Sequence, residues 1–151
     1  MGPENPPPGV KLEIRNHLNM KNVNGLRALV VEDDRVIQTI IKANLASVGI
    51  SSIVAGNGIE AIEAIKGDSF DFVLMDIRMP DQDGLDATRW IRDVEFKNSV
   101  RYVPIFALTT YSSAEHTQEI KDAGMDEHLV KPFRLDNFIR ILDKYFPGAV
   151  A

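Results

Sequence analysis

Three short apolar runs without polar alternation constrain this chain more than any other feature: Ala28-Leu29-Val30-Val31, Phe72-Val73-Leu74-Met75 and Val103 to Leu108. A strand with one face in water alternates, whereas a strand covered on both faces does not, so these read as central strands of a parallel sheet. Each run closes on polar residues: Glu32-Asp33-Asp34 after the first, Asp76 after the second, Thr109-Thr110 after the third. Two shorter runs complete the set, Ile50 to Ala55 and His128-Leu129-Val130, the latter followed by Lys131-Pro132.

Helical patterns separate the runs. Val36, Ile37, Ile40, Ile41, Leu45 and Val48 recur at helical spacing, with Gly49 suited to the helix end. Asn57 with Glu60 reads as a capping signal for a helix whose inner face is expected to be Ile59, Ile62 and Ile65. A third helix is expected from about Gly84, with Leu85, Ile91 and Val94 inward. Ser112 and Glu115 read as another capping box, opening a helix with a thin stripe of Ala114, Ile120 and Ala123. The last helix carries Leu135, Phe138, Leu142 and Phe146 inward. Strands alternating with helices imply a parallel sheet covered on both faces.

In such a sheet ligands collect beyond the carboxyl ends of the strands. The expected tips are Glu32-Asp33, Ala55, Asp76, Thr109 and Lys131, which places three acids, a hydroxyl and an amine in one pocket. Carboxylates crowded together repel unless a cation intervenes. Magnesium prefers oxygen ligands and binds through one or two carboxylates plus a phosphate, while a lysine suits an anion. The set fits placing a phosphoryl group on Asp76, chemistry that needs positioning and charge neutralisation more than a histidine base.

The same stretches, Val30 to Asp34, Met75 to Gly84, Ala107-Leu108-Thr109 and Val130-Lys131-Pro132-Phe133, resemble the receiver domain of two-component response regulators and hybrid histidine kinases. The resemblance covers about Leu26 to Phe146. It implies a flavodoxin-like (βα)5 three-layer sandwich of α/β class, with five parallel strands in the order 2-1-3-4-5. By that resemblance Asp76 is the phosphoacceptor; Glu32, Asp33, Asp76 and the backbone carbonyl of Arg78 hold Mg2+, with Mn2+ as the substitute; and Thr109 and Lys131 sense the phosphoryl group. Lys131-Pro132 is expected to be cis. The donor would be a phosphohistidine on a histidine kinase or histidine phosphotransfer protein, with a downstream effector beyond it.

The chain departs from the family pattern at Thr110, where the residue is usually small, and at His128, where a switching aromatic is common. Arg78 and Tyr111 flank the acyl phosphate, and slow self-dephosphorylation is expected from their shielding. The expected output surface is the face made by the helix after Ser112, the fifth strand and the last helix. A flavin-binding domain is disfavoured because Glu32-Asp33-Asp34 would repel a phosphate. A haloacid-dehalogenase-type phosphatase would need an acid where Arg78 stands. A degenerate receiver acting only as an interaction module is the remaining alternative, and no turnover enzyme is expected.

Length and composition bound the rest. The chain has 151 residues, 44% hydrophobic and 26% charged, which suits one globular domain. The expected division is a flexible proline-rich extension or linker over 1–24, the receiver over 25–147 and a tail over 148–151; Val10 to Ile14 alternate with charges as a short strand would, with a helical turn through Leu18 and Met20 as the alternative. No run is long enough for a membrane helix, and no basic, apolar-centred signal opens the chain. Absence of cysteine suits a reducing cytoplasm, and the net charge of −5 argues against direct nucleic-acid binding. With no room for an output domain after Phe146, the expected contexts are a stand-alone regulator or the terminal receiver of a hybrid kinase.

Overall fold

The computed structural model describes residues 25–78, 84–98, 101–110 and 114–147, with the side chains of 114–116 excepted. The expected readings of Val10 to Met20, the extension and tail, Tyr111, the Ser112 cap and the Ala114 side chain fall outside the described residues. Within them the chain runs β1 Arg27–Val31, α1 Arg35–Ser47, β2 Ser51–Ala55, α2 Gly58–Gly67, β3 Phe72–Asp76, α3 Gly84–Asn98, β4 Ile105–Thr109, α4 Ala114–Ala123, β5 Glu127–Val130 and α5 Leu135–Tyr145. All strand pairs are parallel and the order is β2-β1-β3-β4-β5, the flavodoxin-like arrangement expected.

β3 lies at the centre and every one of its residues is buried. Because successive side chains point to opposite faces, it feeds two cores. Phe72 and Leu74 join Val30, Phe106 and Leu108 under α1 and α5, while Val73 and Met75 join Leu29, Ile105 and Ala107 under α2, α3 and α4. The first core is aromatic: the Phe72 ring lies 5.7 Å from Phe106, 5.5 Å from Phe138 and 6.2 Å from Phe146. These residues hold the central strand, and hence its terminal carboxylate, in a fixed register.

Three helices turn differently from their expected faces. In α2 the buried residues are Gly58 and Ala61, while Ile59 is 53% exposed and only Ile65 of the expected trio packs against the core. Small residues let this helix lie close on the sheet, and apolar spacing alone cannot report that closeness. In α1 the buried residues are Ile41 and Leu45, whereas Val36 and Ile40 face outward, 68% and 48% exposed. In α3 the inner face is Gly84, Ala87, Thr88 and Ile91, with Leu85 and Trp90 only partly buried against the core. The α5 residues Phe138, Leu142 and Phe146 are buried as expected, with Leu135 at the margin.

Caps place the loops. Asp34 caps α1, its Oδ1 accepting from the amides of Val36 at 2.8 Å and Ile37 at 3.1 Å. Asn57 caps α2 through the Glu60 amide at 2.8 Å, and the Glu60 carboxylate reaches back to the Gly56 amide at 2.6 Å. This is a capping box displaced by one residue from the usual form. No described helix is long and apolar enough to cross a membrane.

Candidate functional site

The strand order brings the tips of β1, β3, β4 and β5 to one edge, and four sequence-predicted residues meet there. Asp76 is 2% exposed, Glu32 1% and Thr109 1%, all unusual burial for polar groups. The Lys131 ammonium lies 3.1 Å from Asp76 Oδ2 and 3.1 Å from Glu32 Oε1. Asp33 is exposed at the mouth, and one carboxylate oxygen from each of Glu32, Asp33 and Asp76 lies within 4.8 Å of the others. Asp34 serves instead as the α1 cap, and its amide donates to Glu32 Oε2 at 3.2 Å.

Backbone contacts fix the tips. The Lys131 amide donates to the Thr109 carbonyl at 2.7 Å, tying β5 to β4 just where both leave the sheet. The Arg78 amide donates to Asp76 Oδ1 at 3.1 Å, which folds the loop back over the carboxylate. The Lys131-Pro132 bond is cis, as expected from the sequence. His128 is half-buried on β5, paired in register with Ala107, and Thr110 is exposed at the pocket margin.

Two residues at this edge do work that sequence reading missed. Gln38 donates from its side chain to the Glu32 carbonyl at 2.5 Å, anchoring the β1 tip to α1. Gly84 opens α3 against the end of β3: a Cβ there would lie 2.2 Å from the Asp76 carbonyl oxygen and 2.9 Å from Ile77 Cα. The Gly84 requirement is steric, and the sequence marks Gly84 only as the expected start of the third helix.

The electrostatics are unbalanced. Three carboxylates face one ammonium. Burial first and the Asp76 charge second push the Glu32 carboxyl up, against the pull of the Asp34 amide and Lys131, to about 6 from its ordinary 4.5. Burial draws the Lys131 ammonium down, but Asp76 and Glu32 more than offset it and hold it above its ordinary value. Among the described residues, the buried Glu32 Oε1 has no partner but the Lys131 ammonium at 3.1 Å. An under-used carboxylate oxygen beside two further carboxylates is the donor set a hard, oxygen-seeking dication takes, so the residues fit Mg2+.

A doubly wound parallel sheet that gathers buried carboxylates and a lysine at its strand tips defines an α/β domain with its candidate site at that edge. The chain belongs to the response regulator receiver domain family, whose model matches residues 28–143. It is therefore a receiver domain of two-component signalling. Probable histidine kinase 1 of Oryza sativa subsp. indica is 32% identical over 82% of this chain, and the chain spans only 16% of that kinase's length. Among solved structures, the receiver domain of sensor histidine kinase PA1611 from Pseudomonas aeruginosa, with a magnesium ion coordinated in its active-site cleft, is 38% identical. It has a TM-score of 0.72 and covers 81% of this chain and 98% of its own. The receiver domain of Ssk1 from Saccharomyces cerevisiae, crystallised with the histidine phosphotransfer protein Ypd1, has a TM-score of 0.76 at 28% identity, covering 80% of this chain and 88% of its own.

Proposed function

We propose that this domain takes a phosphoryl group from a phosphohistidine, carried by a histidine kinase or a histidine phosphotransfer protein, onto Asp76. An oxygen of the Asp76 carboxylate bonds to phosphorus as the bond from phosphorus to the donor's imidazole nitrogen breaks, and the electron pair stays on the imidazole. Lys131 then exchanges its contact with the free carboxylate for one with the transferred phosphoryl oxygens, and the Thr109 hydroxyl donates to the same group. Glu32, Asp33, Asp76 and the Arg78 carbonyl would hold Mg2+, which when bound supplies positive charge to the three phosphoryl oxygens during in-line transfer. The observation that carries this reading is the placement of Asp76, 2% exposed at the end of the central strand, with an ammonium at 3.1 Å and two further carboxylates in reach.

A protein donor needs a footing as well as a target. Val36 and Ile40 lie in the first turns of α1, directly after the Glu32-Asp33-Asp34 tip, and both are exposed. They offer an apolar landing beside the pocket that a small acyl-phosphate donor does not use. The output is expected through α4, β5 and α5, with His128 on β5 in register with Ala107. Two charge-assisted hydrogen bonds of about 1.5–3 kcal/mol each approach the roughly 5.5 kcal/mol that reverses a two-state balance.

The test is intact-mass spectrometry after incubation with a phosphorylated histidine phosphotransfer protein and magnesium. The native chain should gain one phosphoryl group and Asp76→Asn none. Equal gain in both, or none in the native chain from any phosphohistidine or acyl-phosphate donor, contradicts the reading; the second result would favour a module that only binds. Shielding by Arg78 and Tyr111 is expected to make the acyl phosphate long-lived, and a half-life of seconds would remove that part.

A further inference from the structure

At the opposite end of the sheet from Asp76 a groove of about 420 Å³ opens between α2 and α3, walled by Ile65, Phe70, Trp90 and Val94. Its rim carries mixed charge from Lys66, Asp68 and Arg101. The Lys66 ammonium sits 5.6 Å from the centroid of the Trp90 ring, so even the aromatic wall is flanked by a cation. Nothing in the phosphoryl chemistry uses this groove.

The chain enters β1 at the groove's edge. Arg27 ion-pairs with Asp68 at 2.6 Å, donates to the Ser69 carbonyl at 3.3 Å and lays its guanidinium 5.2 Å from the Phe70 ring centroid. Asp68, Ser69 and Phe70 all line the groove. Residues before Gly25 are thus tethered beside it, and a chain that extends by about 3.3 Å per residue reaches across it from residues 15–24 alone. Upstream of that tether, Val10, Leu12 and Ile14 alternate with Lys11, Glu13 and Arg15. In extended form such a stretch has one apolar and one charged face, which matches an apolar groove with charges of both signs at its rim. The tether also raises the local concentration of the stretch to about millimolar, enough to fill a groove of weak intrinsic affinity.

We propose that residues 10–20 of this chain occupy the groove between α2 and α3, with Leu12 and Ile14 against Trp90 and Phe70. The extension is thereby held on the sheet end away from the phosphoacceptor, leaving the acidic pocket open to its donor.

Trp90 is the chain's only tryptophan, which makes its emission a direct readout. The experiment compares the full chain with the double variant Leu12→Glu/Ile14→Glu, using emission wavelength and acrylamide quenching. Circular dichroism checks that both are folded. The variant should emit to the red of the native chain and quench more readily, and a synthetic peptide spanning residues 8–20 added to the variant should reverse both changes. Identical emission and quenching in the two proteins would overturn the proposal. Shielding of Trp90 that disappears when the native chain is diluted would also overturn it, because the occupant would then be a second copy.

Discussion

The two ends of the sheet both bury charge, and they settle it in opposite ways. At the amino end, Arg92 donates from Nε to the Gly124 carbonyl at 2.8 Å, from Nη1 to Glu95 and to the Val103 carbonyl at 2.8 Å each, and from Nη2 to Asp126 at 3.0 Å. Asp126 also accepts from the Ile105 amide at 2.8 Å and the Tyr102 hydroxyl at 2.5 Å, and Glu95 from the Val103 amide at 2.9 Å. The guanidinium lies 3.8 Å from the Tyr102 ring centroid. Burial still pushes the Asp126 carboxyl above its ordinary range, but Tyr102, the Ile105 amide and Arg92 pull against it. At the carboxyl end the Lys131 ammonium bridges Glu32 and Asp76 at 3.1 Å each, with a carboxylate oxygen of Asp33 within 4.8 Å of theirs. One end clamps α3, β4 and β5 together with its own groups; the other gathers three carboxylates around one lysine.

The comparison can be broken from either end. Replacing Arg92 by Met should have the largest effect on stability, because it leaves two partly buried carboxylates without their cation: about 3 kcal/mol, the low end for breaking a buried pair, read from urea unfolding. A loss under about 1 kcal/mol would mean the amino-end network holds little together. Next comes Gly84→Ala, whose methyl would press on the Asp76 backbone; overpacking of this kind costs about 1–3 kcal/mol. Phosphorylation at Asp76 should slow in parallel, and a variant that melts lower but is phosphorylated at the native rate would separate Gly84 from the site.

Glu32→Gln should act with the opposite sign. A carboxyl moved from 4.5 to about 6 corresponds to about 2 kcal/mol against the ionised form. The folded chain therefore holds this proton more tightly than the unfolded chain does. The group's contribution to stability is full below about 4.5 and is lost as the pH rises through about 6. In metal-free buffer at pH 7 the variant should be more stable than the native chain, and the gap should close towards pH 4.5. A variant less stable at pH 7 would show that the pocket is not strained by its own charge. The smallest effect on stability belongs to Val36→Asp, within about 0.5 kcal/mol for so exposed a position. It should slow transfer from a phosphohistidine protein while leaving a small acyl-phosphate donor unaffected, and equal slowing with both would remove α1 from the donor's footing.

What could be read from the letters follows from the range of the interactions involved. The central strands and their polar tips were legible because a buried strand writes its environment into consecutive residues, and Phe72 to Asp76 is the clearest case. Helix faces were less so: Ile59 and Ile62 have the right spacing, yet Gly58 and Ala61 face the sheet because close approach favours small side chains. Val36 and Ile40 carry the spacing of α1 outward as well as inward, and nothing local separates core residues from an exposed apolar face. The Arg92 network was invisible, since Arg92 meets Asp126 across 34 positions of chain and no periodicity links them. The convergence of Glu32, Asp76 and Lys131 is just as distant in sequence, and it was legible only because parallel strands bring their carboxyl ends to one edge.

The central claim is that the acidic pocket is completed by a dication. Isothermal titration of magnesium at pH 7 and pH 5 into the native chain and into Asp33→Asn tests it most directly. The account predicts binding to the native chain that weakens at pH 5, where Glu32 is protonated, and that is largely lost in the variant. Magnesium binding that ignores both the pH and Asp33, or no binding at all, would contradict it.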